Sequence, residues 1–275
     1  MITRRSLLGG ALAAGHLRAS PGLRVGITDW NLKLTANPES VPLAAKLGFD
    51  GVQVSFGRSV NGGSLPADDP AIVAKYLQLS AEHRLPLDGT CVDMLHVIGL
   101  KNDKAAVRWV ADALRLTHAL QTQVLLLPFF GRQALKTEEE RNFVGDVLRE
   151  LEAEALKARV ILGLENENSA EENVRIMDRS RAGNVLVYYD VVNSTNIGGY
   201  DVVKEIRWLG KDRVCQIHLK DKSLYLGEGK ISFPEVIQAI HDIGFTGYAN
   251  LETDFRPGAL EEDMRHNLAF VRGLG

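Results

Sequence analysis

The chain has 275 residues, of which 45% are hydrophobic, 24% charged and 7% aromatic, and this composition is typical of an ordered globular protein rather than a disordered one. The 32 lysines and arginines against 35 aspartates and glutamates give a formal net charge of −3, which argues against a dedicated nucleic-acid-binding protein. No apolar run in the sequence reaches the roughly 20 residues of a membrane span, and the two cysteines are too few for a disulfide framework.

The first twenty residues have the order of a bacterial export signal. Arg4 and Arg5 precede a short apolar run and then small residues, which is the layout of the twin-arginine type. We therefore expect residues 1–20 to be a leader that sends the protein to the periplasm or out of the cell. The alternative is a cytoplasmic protein whose first residues carry no address, because the apolar run is short and residues 17–19 make a poor cleavage pattern.

From residue 22 onward, short apolar or β-branched runs alternate with longer amphipathic stretches. The short runs predict strands at residues 23–28, 51–56, 87–92, 124–128, 160–165, 185–190, 214–218 and 248–252. The longer stretches predict helices at residues 38–47, 69–82, 103–120, 137–157, 170–180, 202–209, 233–243 and 260–271.

Three of these helices have recognisable first residues. Asn37 followed by proline is typical of a cap with proline at the first helical position. Thr137 with Glu140, and Ser232 with Glu235, have the spacing of capping boxes, in which each partner bonds the backbone N–H of the other.

Eight strands that alternate with eight helices over about 250 residues predict a single-domain (β/α)8 barrel, or TIM barrel, over residues 22–275. A doubly wound open sheet gives a similar alternation, but it often has a glycine-rich turn after the first strand, and this sequence has none there. No change of composition and no linker divides the chain after residue 22.

The last four predicted strands each end in a residue that can bind a metal, namely Glu165, Asp190, His218 and Glu252. In a barrel these strand ends surround the mouth where active sites lie. Alternate residues of a strand face opposite sides. We therefore expect these four side chains to face the barrel axis, and the apolar residues of opposite parity, Cys215 among them, to face the helices.

Three converging carboxylates would repel each other without a cation, so the pattern predicts a site for one divalent metal ion. Its oxygen-rich ligands with one imidazole favour Mn²⁺ first, with Mg²⁺ or Co²⁺ as alternatives, and Zn²⁺ also accepts such ligands. Each residue taken singly has a structural explanation, such as a helix cap, an arginine partner or a hydrogen-bonded histidine. Their matched positions on four consecutive strands favour the metal site.

The same residues lie in segments that resemble the sugar phosphate isomerase/epimerase family of xylose-isomerase-like TIM barrels. Leucine, glutamate and asparagine at residues 164–166, Tyr-Asp-Val-Val-Asn-Ser at 189–194 and Ile-His-Leu-Lys-Asp at 217–221 carry this resemblance, together with residues 226–229 and 251–252. The resemblance covers residues 22–275. Its motifs are specific for the superfamily but not for one substrate.

The resemblance implies a divalent-metal-dependent isomerase or epimerase that acts on a ketose or a related sugar. Glu165, Asp190, His218 and Glu252 would bind the metal, and the two glutamates would also be the catalytic acid and base. One would remove a proton α to the carbonyl, giving a metal-stabilised enediolate, and the other would return a proton from the opposite face. An isomerase would return it to the neighbouring carbon. The underlying chemistry is general, because a cation stabilises the developing oxyanion while a carboxylate acts as base.

Four more residues are predicted to contact the substrate. Asn193 stands where ketohexose 3-epimerases have a histidine, which argues against that branch, but its amide can hydrogen-bond a sugar hydroxyl. Lys220 can hold a substrate oxygen or pair with a neighbouring acid. His96 either lines the pocket or lies on a surface loop. Trp30 either covers the sugar carbons or packs the barrel rim.

Three other functions stay open. A lyase or dehydratase can use the same enediolate, and a carbohydrate-binding barrel can carry a purely structural metal, although binding alone needs no pair of glutamates. An apurinic-site nuclease on the related barrel needs several histidines, and only His96 and His218 are placed to serve. The expected partners are a small sugar and, because such barrels often pair, a second copy of the chain, but no nucleic acid.

Overall fold

A computed structural model of the chain describes residues 22–59, 63–103 and 105–275. The leader predicted for residues 1–20 lies outside them. Eight parallel strands form a closed barrel in chain order; they are β1 (Arg24–Thr28), β2 (Gly51–Ser55), β3 (Leu87–Cys91), β4 (Val124–Phe129), β5 (Ile161–Asn166), β6 (Val185–Asp190), β7 (Val214–Leu219) and β8 (Tyr248–Leu251).

One α-helix follows each strand, and these helices are α1 (Ser40–Leu47), α2 (Pro70–His83), α3 (Ala105–Ala119), α4 (Glu138–Ala158), α5 (Ala170–Ser180), α6 (Val202–Leu209), α7 (Phe233–Asp242) and α8 (Leu260–Arg272). Strand β1 pairs with β8, with Gly26 opposite Asn250, and this pairing closes the barrel. The predicted TIM barrel is therefore confirmed, with every predicted strand and helix present. Within the described residues, no helix is both long and apolar enough to cross a membrane.

One of the two capping boxes predicted from the sequence is present in the structure. The capping box of Thr137 and Glu140 is present at α4. Ser232 makes no capping hydrogen bond at α7, so that predicted box is wrong. A capping box that we did not predict lies at α5, where Ser169 and Glu172 bond each other's backbone N–H.

The first helix begins two residues later than expected. The backbone N–H groups of Ser40 and Val41 donate to the carbonyl oxygens of Asn37 and Pro38, at 3.0 and 3.1 Å. These bonds span three residues, which is the spacing of a tight turn rather than of an α-helix. Asn37 and Pro38 therefore start a turn that leads into α1.

The strands have two differently packed faces. Their outward apolar residues pack against the helices and form most of the core, whereas Cys91, Val124, Leu126 and Tyr188 form a smaller cluster inside the barrel. Cys215 packs against this inner cluster, so its predicted position facing the helices is wrong.

The cause lies in the pairing of β6 with β7. The pairing goes from Val187 opposite Val214 directly to Tyr188 opposite Gln216, so Cys215 is an additional residue in β7. The expected sides were counted from His218. An additional residue reverses the side of the residues that precede it on the same strand, and the residues between it and His218 keep theirs. Ile217 therefore faces the helices as expected, whereas Cys215 does not.

Candidate metal centre

The four predicted metal ligands meet at the carboxyl end of the barrel. Glu165 lies in β5, Asp190 ends β6, His218 lies in β7 and Glu252 follows β8 directly. Each offers one ligand atom, and these four atoms all lie within 4.8 Å of one another. Strand register explains part of this arrangement, because Asp190 pairs directly with His218. The barrel thus brings together side chains from four consecutive strands.

The imidazole of His218 lies at the centre of this group. Its Nδ1 atom lies 2.8 Å from Glu165 Oε1, 3.5 Å from Glu252 Oε2 and 3.9 Å from Asp190 Oδ2. Its other nitrogen, Nε2, lies 2.9 Å from Gln53 Oε1, on the side away from the carboxylates. One nitrogen of the ring therefore lies near three acidic groups, and the other lies against an amide oxygen.

Lys220 brings a positive charge to two carboxylates of the group. Its Nζ atom lies 2.6 Å from Glu252 Oε2 and 2.8 Å from Asp190 Oδ2. Burial opposes the charge on this ammonium, but the Asp190 and Glu252 carboxylates outweigh that effect and raise the pKa of Lys220. Lys220 is therefore charged, and it neutralises part of the acidic group.

The two acidic neighbours of Lys220 respond differently to burial. Burial raises the pKa of Asp190 to about 7, and Lys220 opposes this effect only in part. Burial also acts on Glu252, but the charges of Lys220 and His218 and hydrogen bonds from Lys220 and Trp30 together lower its pKa to about 2. Glu252 is thus ionised at neutral pH, whereas the pKa of Asp190 lies close to neutral pH, so additional positive charge nearby would favour its ionised form.

The residues present fit a divalent cation. Asp190 Oδ2 is buried and accepts no well-aligned hydrogen bond from any described residue, although the Lys220 ammonium is near it. The three carboxylates also raise the pKa of His218 against the effect of its burial, so they attract positive charge strongly. Three carboxylates and one imidazole form a ligand set that a hard or borderline divalent ion accepts.

A cavity of about 250 Å³, which we call the mouth cavity, opens beside this group. It is lined by Trp30, Arg58, Cys91, Asp93, His96, Leu126, Pro128, Phe130, Glu165, Lys220 and Glu252. Three of the four predicted substrate contacts, Trp30, His96 and Lys220, are thus beside the candidate metal ligands. His96 stacks on Phe130, with ring centroids 6.1 Å apart.

Asn193 has a different position from the other three. It does not line the mouth cavity, and its backbone N–H donates to Asp190 Oδ1 at 2.7 Å. The structure therefore places Asn193 behind a candidate metal ligand, where it fixes one carboxylate oxygen of Asp190.

Sequence reasoning missed an acidic residue of the mouth cavity. Asp93 is 5% exposed, accepts a hydrogen bond from Ser55 Oγ, and lies 3.6 Å from both Arg58 Nε and His96 Nε2. It follows β3 by two residues. The rule that polar residues after barrel strands face the mouth would have identified it had we applied it to the third strand as well as to the last four.

Sequence reasoning also missed the polar interior below the metal ligands. Tyr188, Gln216 and Asn250 are 1%, 2% and 0% exposed, and each precedes a predicted ligand by two residues on its strand. The alternation that orients the ligands orients these residues in the same way. A signal for this polar layer was thus present in the sequence.

The comparisons with known proteins agree with this architecture. Residues 41–274 match the family described as the xylose isomerase-like TIM barrel. No curated protein matches the chain.

Several solved structures share the fold. A D-psicose 3-epimerase from Clostridium cellulolyticum, solved with D-tagatose, has a TM-score of 0.77 and 18% identity, over 92% of this chain and 99% of that one. A 3-keto-D-glucoside 4-epimerase from E. coli has a TM-score of 0.72 and 17% identity, over 91% and 99%. A sugar phosphate isomerase/epimerase from Parabacteroides distasonis has a TM-score of 0.69 and 16% identity, over 94% and 96%. At such low identity these similarities establish the fold alone.

Proposed function

The chain belongs to the xylose isomerase-like TIM barrel family, and from this membership we propose that it is a divalent-metal-dependent sugar isomerase or epimerase. The observation that carries the proposal is the meeting of Glu165, Asp190, His218 and Glu252, whose ligand atoms lie within 4.8 Å of one another at the mouth. A binding barrel with a structural metal would not need two glutamates that both line the substrate cavity. Mn²⁺ is the ion that we propose first.

In this proposal the two glutamates move a proton on and off a carbon next to a carbonyl group. A bound divalent cation would supply the positive charge that stabilises negative charge on the substrate oxygens. Glu252 is ionised and is held by Trp30 Nε1 at 3.0 Å and by Lys220, so it is a positioned proton acceptor. Glu165 reaches the same cavity from β5 and would donate or accept the second proton.

The substrate that we propose is a ketose or a related keto sugar. The cavity of about 250 Å³ combines the charged groups of Glu165, Glu252 and Lys220 with the aromatic rings of Trp30 and Phe130. Sugars bind to such surfaces, because their hydroxyls need polar partners and their C–H faces pack on aromatic rings. Two of the similar structures are sugar 3- and 4-epimerases by name, which supports the same class.

Hydrogen exchange into a sugar tests this function directly. In D₂O with Mn²⁺, the protein should place deuterium on the carbon next to the carbonyl of at least one sugar in a panel of ketoses, keto sugars and their phosphates, as followed by NMR. Replacement of either catalytic glutamate, E165Q or E252Q, should slow this exchange by at least about 10²-fold, because a positioned acid or base is lost.

The matched control is E167Q, since Glu167 lies two residues after Glu165 and is outside the metal group. This variant should exchange at the rate of the unchanged protein. Absence of exchange across the whole panel, with the metal bound, would instead favour the carbohydrate-binding function.

We also propose that residues 1–20 direct the protein out of the cytoplasm, because Arg4 and Arg5 precede an apolar run. Cell fractionation of a bacterium that expresses the full chain should recover the protein in the periplasm, and R4K/R5K should retain it inside. Equal distribution of both forms would contradict this proposal.

A further inference from the structure

The metal-facing histidine is held from behind by a chain of hydrogen bonds across the barrel. We call this the inner chain, and it runs from Asp88 through Asn250, Tyr188 and Gln53 to His218. Its four steps are Asn250 Nδ2 to Asp88 Oδ1 (3.3 Å), Asn250 Nδ2 to Tyr188 Oη (3.0 Å), Tyr188 Oη to Gln53 Oε1 (3.2 Å) and His218 Nε2 to Gln53 Oε1 (2.9 Å). It connects β3, β8, β6, β2 and β7.

The donors and acceptors of the inner chain have one consistent direction. Asn250 turns its amide nitrogen towards Asp88 and donates to Asp88 Oδ1. That nitrogen also donates to the Tyr188 oxygen, which leaves the Tyr188 O–H free to donate to Gln53. Gln53 must then present its carbonyl oxygen.

The same direction places a hydrogen on one particular nitrogen of the histidine. Because Gln53 Oε1 can only accept, the hydrogen of the second bond has to come from His218 Nε2. With its hydrogen on Nε2, a neutral His218 has its free electron pair on Nδ1, the nitrogen that faces Glu165, Asp190 and Glu252.

Burial disfavours a reversed set of donors and acceptors along the inner chain. Tyr188 is 1% exposed, and Gln53, His218 and Asn250 are each 0% exposed. Reversal of the Gln53 amide would turn its nitrogen towards the Tyr188 O–H, so this buried donor would lose its acceptor. The amide nitrogen of Gln53 has no hydrogen-bond acceptor among the described residues, so Gln53 is held through its oxygen alone.

Two glycines leave space for Asp88 and Asn250, the residues of the inner chain farthest from His218. A Cβ atom on Gly26 would lie 1.9 Å from Asn250 Oδ1 and 2.2 Å from Asp88 Oδ2, and one on Gly51 would lie 2.5 Å from Asp88 Oδ2. No side chain larger than hydrogen fits at these two positions unless the polar groups move. Glycines in β1 and β2 therefore make room for Asp88 and Asn250 at the axis.

We propose that Gln53 is a positioning residue for metal binding, which presents His218 Nδ1 to the ion by accepting the Nε2 hydrogen. This inference rests on the proposed metal centre but does not depend on the sugar. Hydrogen bonds of this kind behind a metal ligand fix its orientation, and their loss typically weakens metal binding 10–100-fold.

The first test identifies the bound nitrogen in the unchanged protein. The full chain is labelled with ¹⁵N-histidine and loaded with Zn²⁺, which is diamagnetic, and two-bond ¹H–¹⁵N NMR assigns each ring nitrogen of His218 with H218Q as reference. We expect the metal on Nδ1 and a hydrogen on Nε2. Metal on Nε2 would overturn the proposal without the need for any Gln53 variant.

The second test measures Mn²⁺ affinity by titration calorimetry. Q53M keeps the length of the side chain but removes the strong acceptor, and it should bind Mn²⁺ about 10–100-fold more weakly. Q53E restores an acceptor oxygen and should bind within a few-fold of the unchanged protein. The matched control is Q216M, because Gln216 is equally buried but donates to the Asp88 backbone oxygen instead of contacting His218.

Y188F supplies a further variant in case Q53M does not fold. It removes the hydroxyl that donates to Gln53 and accepts from Asn250, and it should weaken Mn²⁺ binding several-fold. Unchanged affinity in both Q53M and Y188F, or equal weakening in Q53M and Q216M, overturns the proposal. If the unchanged protein binds no Mn²⁺ or Zn²⁺ at all, the proposed function fails instead, and with it the role assigned to Gln53.

Discussion

Glu165 and Glu252 carry the same chemical group but have different neighbours. Glu252 receives hydrogen bonds from Trp30 Nε1 and Lys220 Nζ, whereas Glu165 Oε1 contacts His218 Nδ1. Two fixed donors keep Glu252 ionised, and the contact of Glu165 is with the ring that would itself bind the metal. Within the proposed function, this asymmetry favours Glu252 as the group that removes the first proton.

The Lys220 ammonium lies between two of the three carboxylates of the candidate metal centre. This ammonium contacts Asp190 and Glu252 together, so it takes over part of the role of a divalent ion. A bound divalent ion would bring a second source of positive charge to the same carboxylates. We therefore expect the ion and Lys220 to compete electrostatically, and removal of one should increase the effect of the other.

The variant K220M tests this competition. In the metal-free protein it leaves the acidic group less neutralised, so its Tm should fall by several degrees, and Mn²⁺ should raise its Tm by more than it raises that of the unchanged protein. Thermal unfolding with and without Mn²⁺ measures both effects. K222M removes an exposed lysine two residues away and is the control. An equal Mn²⁺-dependent shift in all three proteins would show that Lys220 does not compete.

Alternation along the strands correctly predicted that four side chains from consecutive strands come together. The ligand atoms of Glu165, Asp190, His218 and Glu252 lie within 4.8 Å of one another. Asp190 and His218 keep their expected side because both follow the β6–β7 irregularity. Cys215 was misplaced because an additional residue in a strand changes neither composition nor hydrophobicity. Sequence pattern alone therefore cannot show where two strands lose register.

The helix ends show a similar limit. Thr137 and Ser232 have the same capping pattern, yet only Thr137 makes the bond. Ser232 has a backbone ψ of 85°, whereas Thr137 has the fully extended ψ of 160°. The backbone around a cap depends on how the preceding loop packs, and that information is not local to the motif.

At the scale of the whole molecule, the site exists only when the barrel is closed. Trp30 donates to Glu252 across 222 residues of sequence, and β1 pairs with β8 beside them. The ligands themselves come from four strands whose order the sequence alternation predicted. The polar inner chain was not predicted, because alternation places Tyr188 and Asn250 at the axis but does not show which side chain bonds to which across it. Metal binding and barrel closure should therefore stabilise each other.

Association of two copies and the absence of nucleic-acid binding stay predictions from the sequence. All the described residues that line the mouth cavity belong to this one chain.

Crystals of the full chain grown with Mn²⁺ provide the most direct test of the metal centre. Anomalous diffraction at the manganese edge should reveal one ion per chain, within about 2.0–2.4 Å of Glu165, Asp190, Glu252 and Nδ1 of His218. Elemental analysis of the dissolved crystals should give the same stoichiometry. A manganese peak elsewhere, or no peak beside these four side chains at saturating Mn²⁺, would contradict the account.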